Sequence, residues 1–216
     1  ILGIAGLVGS GRTELLQSLA GVLKIDKGKI SVKGKAISIN NPKDAINAGI
    51  ALMPEDRKMQ GLVLGMSVKE NISFGSLKSF YNYGFLNKEK ERNIANKMIK
   101  DLEIKVDTPE KQAIYLSGGN QQKVVFAKWL FADKDILLLD EPTRGIDVGA
   151  KEEIFRVVND LVEDGKSIIF VSSELDEVLR VSDRIIVLQN KKIVAELPCR
   201  TDIDEVLKYA MGVSEK

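Results

Sequence analysis

The sequence predicts an α/β fold built on a mostly parallel sheet with helices on both faces. Short, continuously apolar segments such as Ile136–Leu139 and Ser167–Val171 alternate with amphipathic helical segments in the second half of the chain. That alternation is typical of a parallel sheet buried on both faces. From about residue 66 to residue 131 the helical pattern carries no strands. We therefore expect one domain over residues 1–216, with a helical subdomain at approximately 66–131 inserted in the core.

The composition narrows the classes of protein to consider. Hydrophobic residues make up 44% and charged residues 29% of the chain, and the net charge is +1. This balance indicates a globular protein and gives no basic surface for nucleic acid. No apolar run approaches the roughly 20 residues that span a bilayer. The single Cys199 cannot form an internal disulfide, and the chain has no histidine to serve as base, switch or metal ligand.

The first half of the chain is divided into short elements by glycines and polar turns. Apolar, β-prone runs predict strands, and the alternation around Gly34 predicts a β-hairpin. The predicted elements are a strand at Ile1–Ala5, a helix at Thr13–Ala20, a hairpin over Lys29–Ile39, a helix at Pro42–Ala48, a strand at Ile50–Met53 and a helix at Val68–Phe74. Because the first strand begins at the first residue with no lead-in, we expect the chain to belong to a longer protein.

The second half combines long helices with buried strands. Ile94, Met98 and Leu102 recur every four residues, which predicts a helix with one narrow apolar stripe. The predicted helices are Asn87–Leu102, Ser117–Phe131, Ala150–Val162, Glu174–Val181 and Asp202–Met211, and the predicted strands are Ile136–Leu139, Ser167–Val171, Arg184–Leu188 and Ile193–Glu196.

A glycine-rich loop after the first strand has the pattern of a phosphate-binding loop. It reads Gly6-Leu7-Val8-Gly9-Ser10-Gly11-Arg12-Thr13 and opens a helix. The glycines let backbone N–H groups turn toward phosphates at the positive end of that helix, and Thr13 would give its hydroxyl to Mg²⁺. Arg12 stands where lysine is usual; it keeps the charge but is larger and planar, so we expect an altered geometry at the γ-phosphate. The residues expected to contact the nucleotide here are Gly6, Gly9, Ser10, Gly11, Arg12, Thr13 and Glu14.

A pair of carboxylates follows the apolar strand Ile136–Leu139. We expect Asp140 to hold Mg²⁺ through a water and Glu141 to polarise an attacking water, as a general base does in phosphoryl transfer. The alternative without function is that the two carboxylates are merely solvated at the end of a strand. For the glycine-rich loop, the corresponding alternative is a turn that only packs a strand on a helix.

A third motif, Leu116-Ser117-Gly118-Gly119, opens a helix with Ser117 as the predicted N-cap. Its glycines and the helix N-terminus form a second anion-binding surface. In this order the three motifs resemble an ATP-binding-cassette (ABC) ATPase over nearly the whole chain. The resemblance implies a P-loop NTPase fold of ABC type, with a mostly parallel core sheet, an α-helical subdomain and a small antiparallel β part. It also implies ATP and Mg²⁺ as cofactors, and a site completed by Ser117, Gly118 and Gly119 of a partner cassette.

Two further positions depart from the family pattern. Glu55 stands where the family usually has a glutamine after a strand, and would place a negative charge near Mg²⁺ and phosphate. Ser173 stands where a histidine is expected; it can hydrogen-bond but cannot titrate, so the γ-phosphate contact is weakened. The run Pro142–Asp147 resembles the D-loop at the dimer interface, where Arg144 either bridges to the partner or is a solvated surface arginine.

These departures together resemble the second cassette of tandem ATP-binding proteins in monosaccharide importers of the ribose, galactose and xylose type. The runs that carry this resemblance are Pro54-Glu55-Asp56-Arg57-Lys58, Leu116 to Lys123 and Ser172-Ser173-Glu174-Leu175. The resemblance implies a cassette with slow hydrolysis that completes its partner's site. The adenine-stacking aromatic of the family lies upstream of residue 1.

The partners expected from this resemblance are a second cassette, transmembrane permease subunits and, indirectly, a sugar-binding protein. The helical insert and the loop from Glu55 to about Phe85 would contact the permease at the cytoplasmic face of the membrane. Two alternatives remain: a non-hydrolysing ATP-gated module, and a soluble cassette ATPase of DNA repair or translation. The sequence does not name the sugar, and a nucleoside importer stays open.

Overall fold

The structure, a computed structural model, describes residues 1–82 and 85–212. The chain forms two compact units. Of the described residues, the first contains 1–52, 134–142 and 158–212, and the second contains 53–82, 85–133 and 143–157. Among the described residues, no helix combines the length and the apolar character needed to cross a membrane.

The first unit is built on a six-stranded sheet. Its strands are β1 (Leu2–Gly6), β4 (Ile50–Met53), β7 (Ile136–Asp140), β8 (Ser167–Val171), β9 (Arg184–Gln189) and β10 (Lys192–Pro198). They lie in the order β10-β9-β1-β8-β7-β4. β1 pairs in parallel with β8 and β9, β7 pairs in parallel with β8, and β10 pairs antiparallel with β9. The carboxyl ends of β1, β7 and β8 therefore meet at one edge, where the phosphate loop, the Asp140–Glu141 pair and Ser173 lie.

Apolar side chains on the sheet explain why these segments become central strands. Ile4, Leu138 and Val171 are buried in one core cluster together with Leu16 of the first helix. The remaining elements of this unit are helices α1 (Arg12–Leu19), α2 (Pro42–Asn47), α7 (Leu175–Val181) and α8 (Ile203–Met211), and the antiparallel hairpin β2 (Ile30–Val32) and β3 (Lys35–Ile37). The predicted mostly parallel sheet with flanking helices and a small antiparallel part is confirmed.

The second unit is mainly helical. Its helices are α3 (Val68–Phe74), α4 (Lys88–Asp101) and α5 (Gly118–Phe131), with a π-helical turn at Arg57–Gly61 and 3₁₀ turns at Leu77–Phe80 and Ala113–Tyr115. α3 packs against both α4 and α5. Helix α6 (Val148–Glu163) begins in this unit and ends in the first.

One expectation for this unit is wrong. The stretch from 66 to 131 was expected to lack strands, but a short antiparallel hairpin, β5 (Tyr81–Asn82) with β6 (Phe85–Leu86), lies within it. Strands of two residues are too short to carry the period-two alternation by which a strand is predicted.

Candidate nucleotide-binding site

The phosphate-loop sequence folds into a tight turn between β1 and α1. A Cβ added to Gly6 would lie 2.5 Å from both Leu188 O and Ser10 Oγ, so only glycine fits there. Gly9 and Gly11 have φ angles of 81° and 101°, the left-handed region that favours glycine. An added Cβ on Gly9 would meet no atom within 4 Å, so the loop is open at this point.

Two features of the loop fit a phosphate ligand. Ser10 is buried, and its Oγ is without a hydrogen-bond partner among the described residues. A buried hydroxyl without a partner at this point of the loop can donate to a ligand oxygen. The loop also ends at the N-terminus of α1, where backbone N–H groups and the helix dipole favour an anion.

Arg12 turns into the protein instead of lying open in the loop. Its side chain is buried; Nη1 donates to Ser172 O at 2.6 Å, and Nη2 lies 3.6 Å from Glu141 Oε1. The guanidinium therefore connects the phosphate loop with the segments that follow β7 and β8.

Thr13 and Asp140 lie together, as the sequence predicted from their motifs. Thr13 Oγ1 donates to Asp140 Oδ1 at 3.3 Å. Burial raises the pKa of Asp140 to about 6, and the Thr13 hydrogen bond opposes that rise. A hydroxyl and a carboxylate are oxygen ligands of the kind Mg²⁺ takes, and a nearby cation would lower the pKa again. The pair thus fits a Mg²⁺ site.

Glu141 is held in a defined position beside this pair. Its backbone has φ of 50°, which is uncommon outside glycine, and its N–H donates to Val171 O at 2.9 Å. Ser173 Oγ donates to Glu141 Oε2 at 3.0 Å, while Arg12 faces the other carboxylate oxygen. Both oxygens of the predicted general base are thus already engaged.

The turn between β9 and β10 also contacts the phosphate loop, which the sequence did not predict. Lys191 N donates to Ser10 O at 2.8 Å, and Lys191 Nζ lies 3.9 Å from Glu14 Oε1. Asn190 and Lys191 both have positive φ, as a two-residue hairpin turn requires. The Asn-Lys pair between two predicted strands could have predicted the turn. It could not have predicted the contact of the turn with the phosphate loop.

In the second unit, Ser117 caps α5 as predicted. Its Oγ accepts from Asn120 Nδ2 at 2.9 Å and from Asn120 N at 3.4 Å. Asn120 Oδ1 in turn accepts from Lys105 N at 2.7 Å, which fixes the orientation of the amide. Because both acceptor positions of the Ser117 hydroxyl are occupied, its proton is left to donate to another group. Asn120, three residues after the N-cap, is not among the site residues predicted from the sequence.

Gly119 and Glu55 are also in the second unit. A Cβ on Gly119 would lie 2.7 Å from Ala150 Cβ, so glycine allows close packing against α6. A pocket of about 210 Å³ is lined by Ser117, Gly119 and Asn120 among others. Glu55 forms an ion pair with Arg144. Its expected contact with Mg²⁺ stays a prediction.

Comparison with known proteins identifies the family to which this chain belongs. A sequence model described as "ABC transporter" matches residues 1–144. The chain belongs to the ABC transporter family. Since the cassettes of this family are ATPases, the chain is an ABC ATPase domain.

This ABC domain is similar in sequence to curated ribose import proteins. It is 47% identical over 213 residues to the ribose import ATP-binding protein RbsA of Oceanobacillus iheyensis, covering 98% of the chain and 43% of that protein. It is 48% identical to RbsA of Geobacillus kaustophilus, with the same coverage. The chain therefore spans less than half the length of the curated relatives that it matches.

Solved structures resemble the ABC domain over almost its whole length. An ATP-binding cassette of an ABC transporter in its ADP conformation has a TM-score of 0.76 and 26% identity, covering 98% of this chain and 84% of that one. A nucleotide-free cassette has a TM-score of 0.78 at 25% identity, with the same coverage. Both support the ABC cassette fold, and the first supports nucleotide binding.

The structure thus brings one group of the predicted site residues together within the first unit. This group comprises the phosphate loop, Thr13, Asp140, Glu141 and Ser173. Glu55, Ser117, Gly118 and Gly119 belong to the second unit of the ABC domain.

Proposed function

We propose that this chain is one of two ATPase cassettes in a longer protein that drives import of a monosaccharide through a membrane permease. The observation that carries the proposal is the joining of Arg12, Glu141 and Ser173 in one hydrogen-bonded and ion-paired cluster beside Thr13 and Asp140. The relatives supply the substrate class, because they are named ribose import ATP-binding proteins. They also support the assignment to a longer protein, because this chain covers only 43% of their length.

Nucleotide binding is assigned to the phosphate loop. The backbone N–H groups of Gly9 and Gly11 and the Ser10 hydroxyl bind phosphate oxygens, and Gly6 allows the turn. The Arg12 guanidinium, which contacts Ser172 O and Glu141 in the structure, binds a phosphate oxygen only after it turns back toward the loop. Mg²⁺, held by Thr13 and Asp140, would neutralise charge on the β- and γ-phosphates. The further assignments of Glu14 as a nucleotide contact and of Glu55 as a metal ligand rest on the motif positions alone.

Hydrolysis is assigned to Glu141 as the base that polarises the attacking water. One of its oxygens accepts from Ser173 and the other lies 3.6 Å from Arg12 Nη2. These contacts stabilise the charged carboxylate and so make it a weaker base toward a water. We therefore expect slow turnover at this cassette's own phosphate loop.

Ser117, Gly118 and Gly119 serve the partner cassette. The Ser117 hydroxyl is oriented as a donor by Asn120, which suits a phosphate oxygen, a group that only accepts. The fuller site would then form when two cassettes close on ATP, with this chain completing the site of its partner.

The remaining partners follow from the importer class. The helical subdomain contacts the permease at the cytoplasmic face of the membrane, and a sugar-binding protein delivers the solute from the other side. Selectivity for the sugar resides in those subunits. Whether the solute is ribose, another sugar or a nucleoside is therefore decided by them and not by this chain.

A second candidate function is a non-hydrolysing module that binds ATP and acts only through its partner. The double engagement of Glu141 favours it, whereas the intact Asp140 and Glu141 favour hydrolysis. The measurement that separates the two is Mg-ATP binding together with phosphate release, in the protein that contains this cassette.

The experiment compares Glu141→Gln with the unchanged protein in a background whose other cassette carries the equivalent glutamine. Binding with phosphate release equal in both proteins supports the non-hydrolysing module. Slow release that Glu141→Gln abolishes supports the proposed cassette. If Thr13→Ala and Arg12→Ala both bind ATP as well as the unchanged protein does, the assignment of the phosphate loop is contradicted.

A further inference from the structure

The side chain of Arg57 joins three separate segments of the second unit. Its Nη1 donates to Arg144 O at 2.8 Å, and its Nη2 donates to Gly145 O at 3.3 Å. The third segment is the start of α5: a Cβ added to Gly118 would lie 2.7 Å from Arg57 Nη2 and 3.2 Å from Gly145 O. One guanidinium therefore occupies the space between the loop after β7 and the glycine of the Leu-Ser-Gly-Gly motif.

Arginine is the side chain that suits this position. Its planar guanidinium presents several N–H donors in a fixed fork, so that two neighbouring carbonyl oxygens can be held at once. A lysine carries the same charge, but on one ammonium group at the end of a flexible side chain. Gly145, which supplies one of the carbonyls, has φ of 67°. The loop therefore adopts a left-handed backbone, which favours glycine, at the residue that accepts from Arg57.

Arg57 is itself anchored at its own end. It opens the π-helical turn Arg57–Gly61, and Asp56 caps that turn by accepting from Lys58 N at 3.0 Å and from Met59 N at 3.1 Å. A second link runs in the opposite direction, because the Arg144 side chain forms an ion pair with Glu55. The segment 55–57 and the loop 144–145 are thus tied by one side chain from each.

We propose that Arg57 is a positioning residue that fixes the loop Arg144–Gly145 and the start of α5 in one arrangement. This rests on the proposed function, in which residues 117–119 and the loop after Glu141 face a partner cassette. Arg57 touches neither nucleotide nor reacting atoms in this assignment. It acts through the backbone that it holds, so that the surface on which the partner closes is ordered before ATP binds.

The test uses the full-length protein that contains this cassette, with the variants Arg57→Lys and Arg57→Ala. Arg200→Ala is the matched control, because it removes an exposed arginine outside the segments assigned to the nucleotide, the partner cassette or the permease. Hydrogen–deuterium exchange of peptides that cover residues 143–147 and 117–121 is measured without nucleotide, and kcat and KM for ATP are measured in the same preparations.

Both Arg57 variants should exchange about tenfold faster in these peptides, which corresponds to the loss of one or two hydrogen bonds. Their kcat should fall by a similar factor while KM for ATP stays within about twofold, because ground-state binding at the phosphate loop is untouched. Arg200→Ala should match the unchanged protein in all three measurements.

Unchanged exchange in the Arg57→Lys variant would overturn the proposal, as would a rise in KM without a change in kcat. If Arg57→Ala fails to fold, Arg57→Lys still decides. A Ser117→Ala variant tests the proposed function separately: if Ser117→Ala leaves hydrolysis unchanged, the partner-facing role fails, whereas the exchange result on Arg57 still reports on positioning.

Discussion

At the scale of single residues, two of the three departures of this cassette from its family pattern converge on one carboxylate. Arg12 replaces lysine and Ser173 replaces histidine, and both side chains are directed at Glu141. Neither contact could be predicted from the sequence, because each joins residues far apart in the chain. The sequence identified the residues and their chemical types; only the fold shows that they act on the same group.

Asn120 offers the sharpest test of a single residue. Because its Oδ1 is held by Lys105 N, an aspartate there would turn its second oxygen toward Ser117 and accept the hydroxyl proton. We expect Asn120→Asp to lower ATP hydrolysis by the closed pair of cassettes by about a hundredfold, the usual cost of losing one donor to a developing charge. Asn120→Ala should lower it less. Steady-state phosphate release by the full-length protein measures both effects.

A double-mutant cycle separates hydroxyl orientation from the added charge. In a Ser117→Ala background the hydroxyl is gone, so Asn120→Asp should have only the smaller effect of its charge. Equal effects in the two backgrounds would show that Asn120 does not act through Ser117.

At the scale of elements, the sequence predicted most helices and strands with bounds within about two residues of those observed. These elements have strong local signals, since β7 and β8 are continuous apolar runs and α4 carries apolar residues at every fourth position. The hairpin β5–β6 and the π-helical turn at Arg57 were missed because neither has a period in the sequence. The contacts of Arg57 were missed for another reason: they join residues 57, 118 and 144 only after folding.

Helix α5 carries a partly buried charge whose effect can be measured. Burial lowers the pKa of Lys128 to about 8, while its Nζ donates to Gly61 O at 2.6 Å and lies 5.0 Å from the centre of the Trp129 ring. Because the folded pKa is below the unfolded value, the unfolded chain binds more protons between pH 8 and about 10.5, and stability rises with pH in that window. Below pH 8 the full cost of keeping Lys128 charged is present.

The Lys128→Met variant should lose this pH dependence. We expect the unchanged protein to gain about 2 kcal/mol in free energy of unfolding, relative to the variant, between pH 7.5 and pH 9.5. Urea denaturation at the two pH values measures the difference, and other titrating groups cancel in the comparison. Parallel changes in the two proteins would mean that Lys128 does not titrate in this range.

At the scale of the whole molecule, the proposed function places the cassette within a longer chain. Its relatives are more than twice its length, and the geometry divides its predicted functional residues into two sets. One set surrounds the phosphate loop, and the other surrounds Ser117. Under the proposed function these sets belong to two different nucleotide sites, so the second set is needed even if the first turns over slowly.

A chimaera tests this division in a transporter of known substrate. Residues 1–212 of this chain would replace the aligned stretch of RbsA from Bacillus subtilis, to which the chain is 47% identical over 213 residues. We expect the chimaera to restore ribose uptake in cells that lack RbsA. Glu141→Gln in the chimaera should reduce uptake by about twofold or less, whereas Ser117→Ala should reduce it by tenfold or more, because only the latter impairs the faster site. Uptake that depends on Glu141 as strongly as on Ser117 would show that both sites must hydrolyse ATP. A chimaera that is expressed and reaches the membrane fraction but gives no uptake would place this cassette with a different kind of importer.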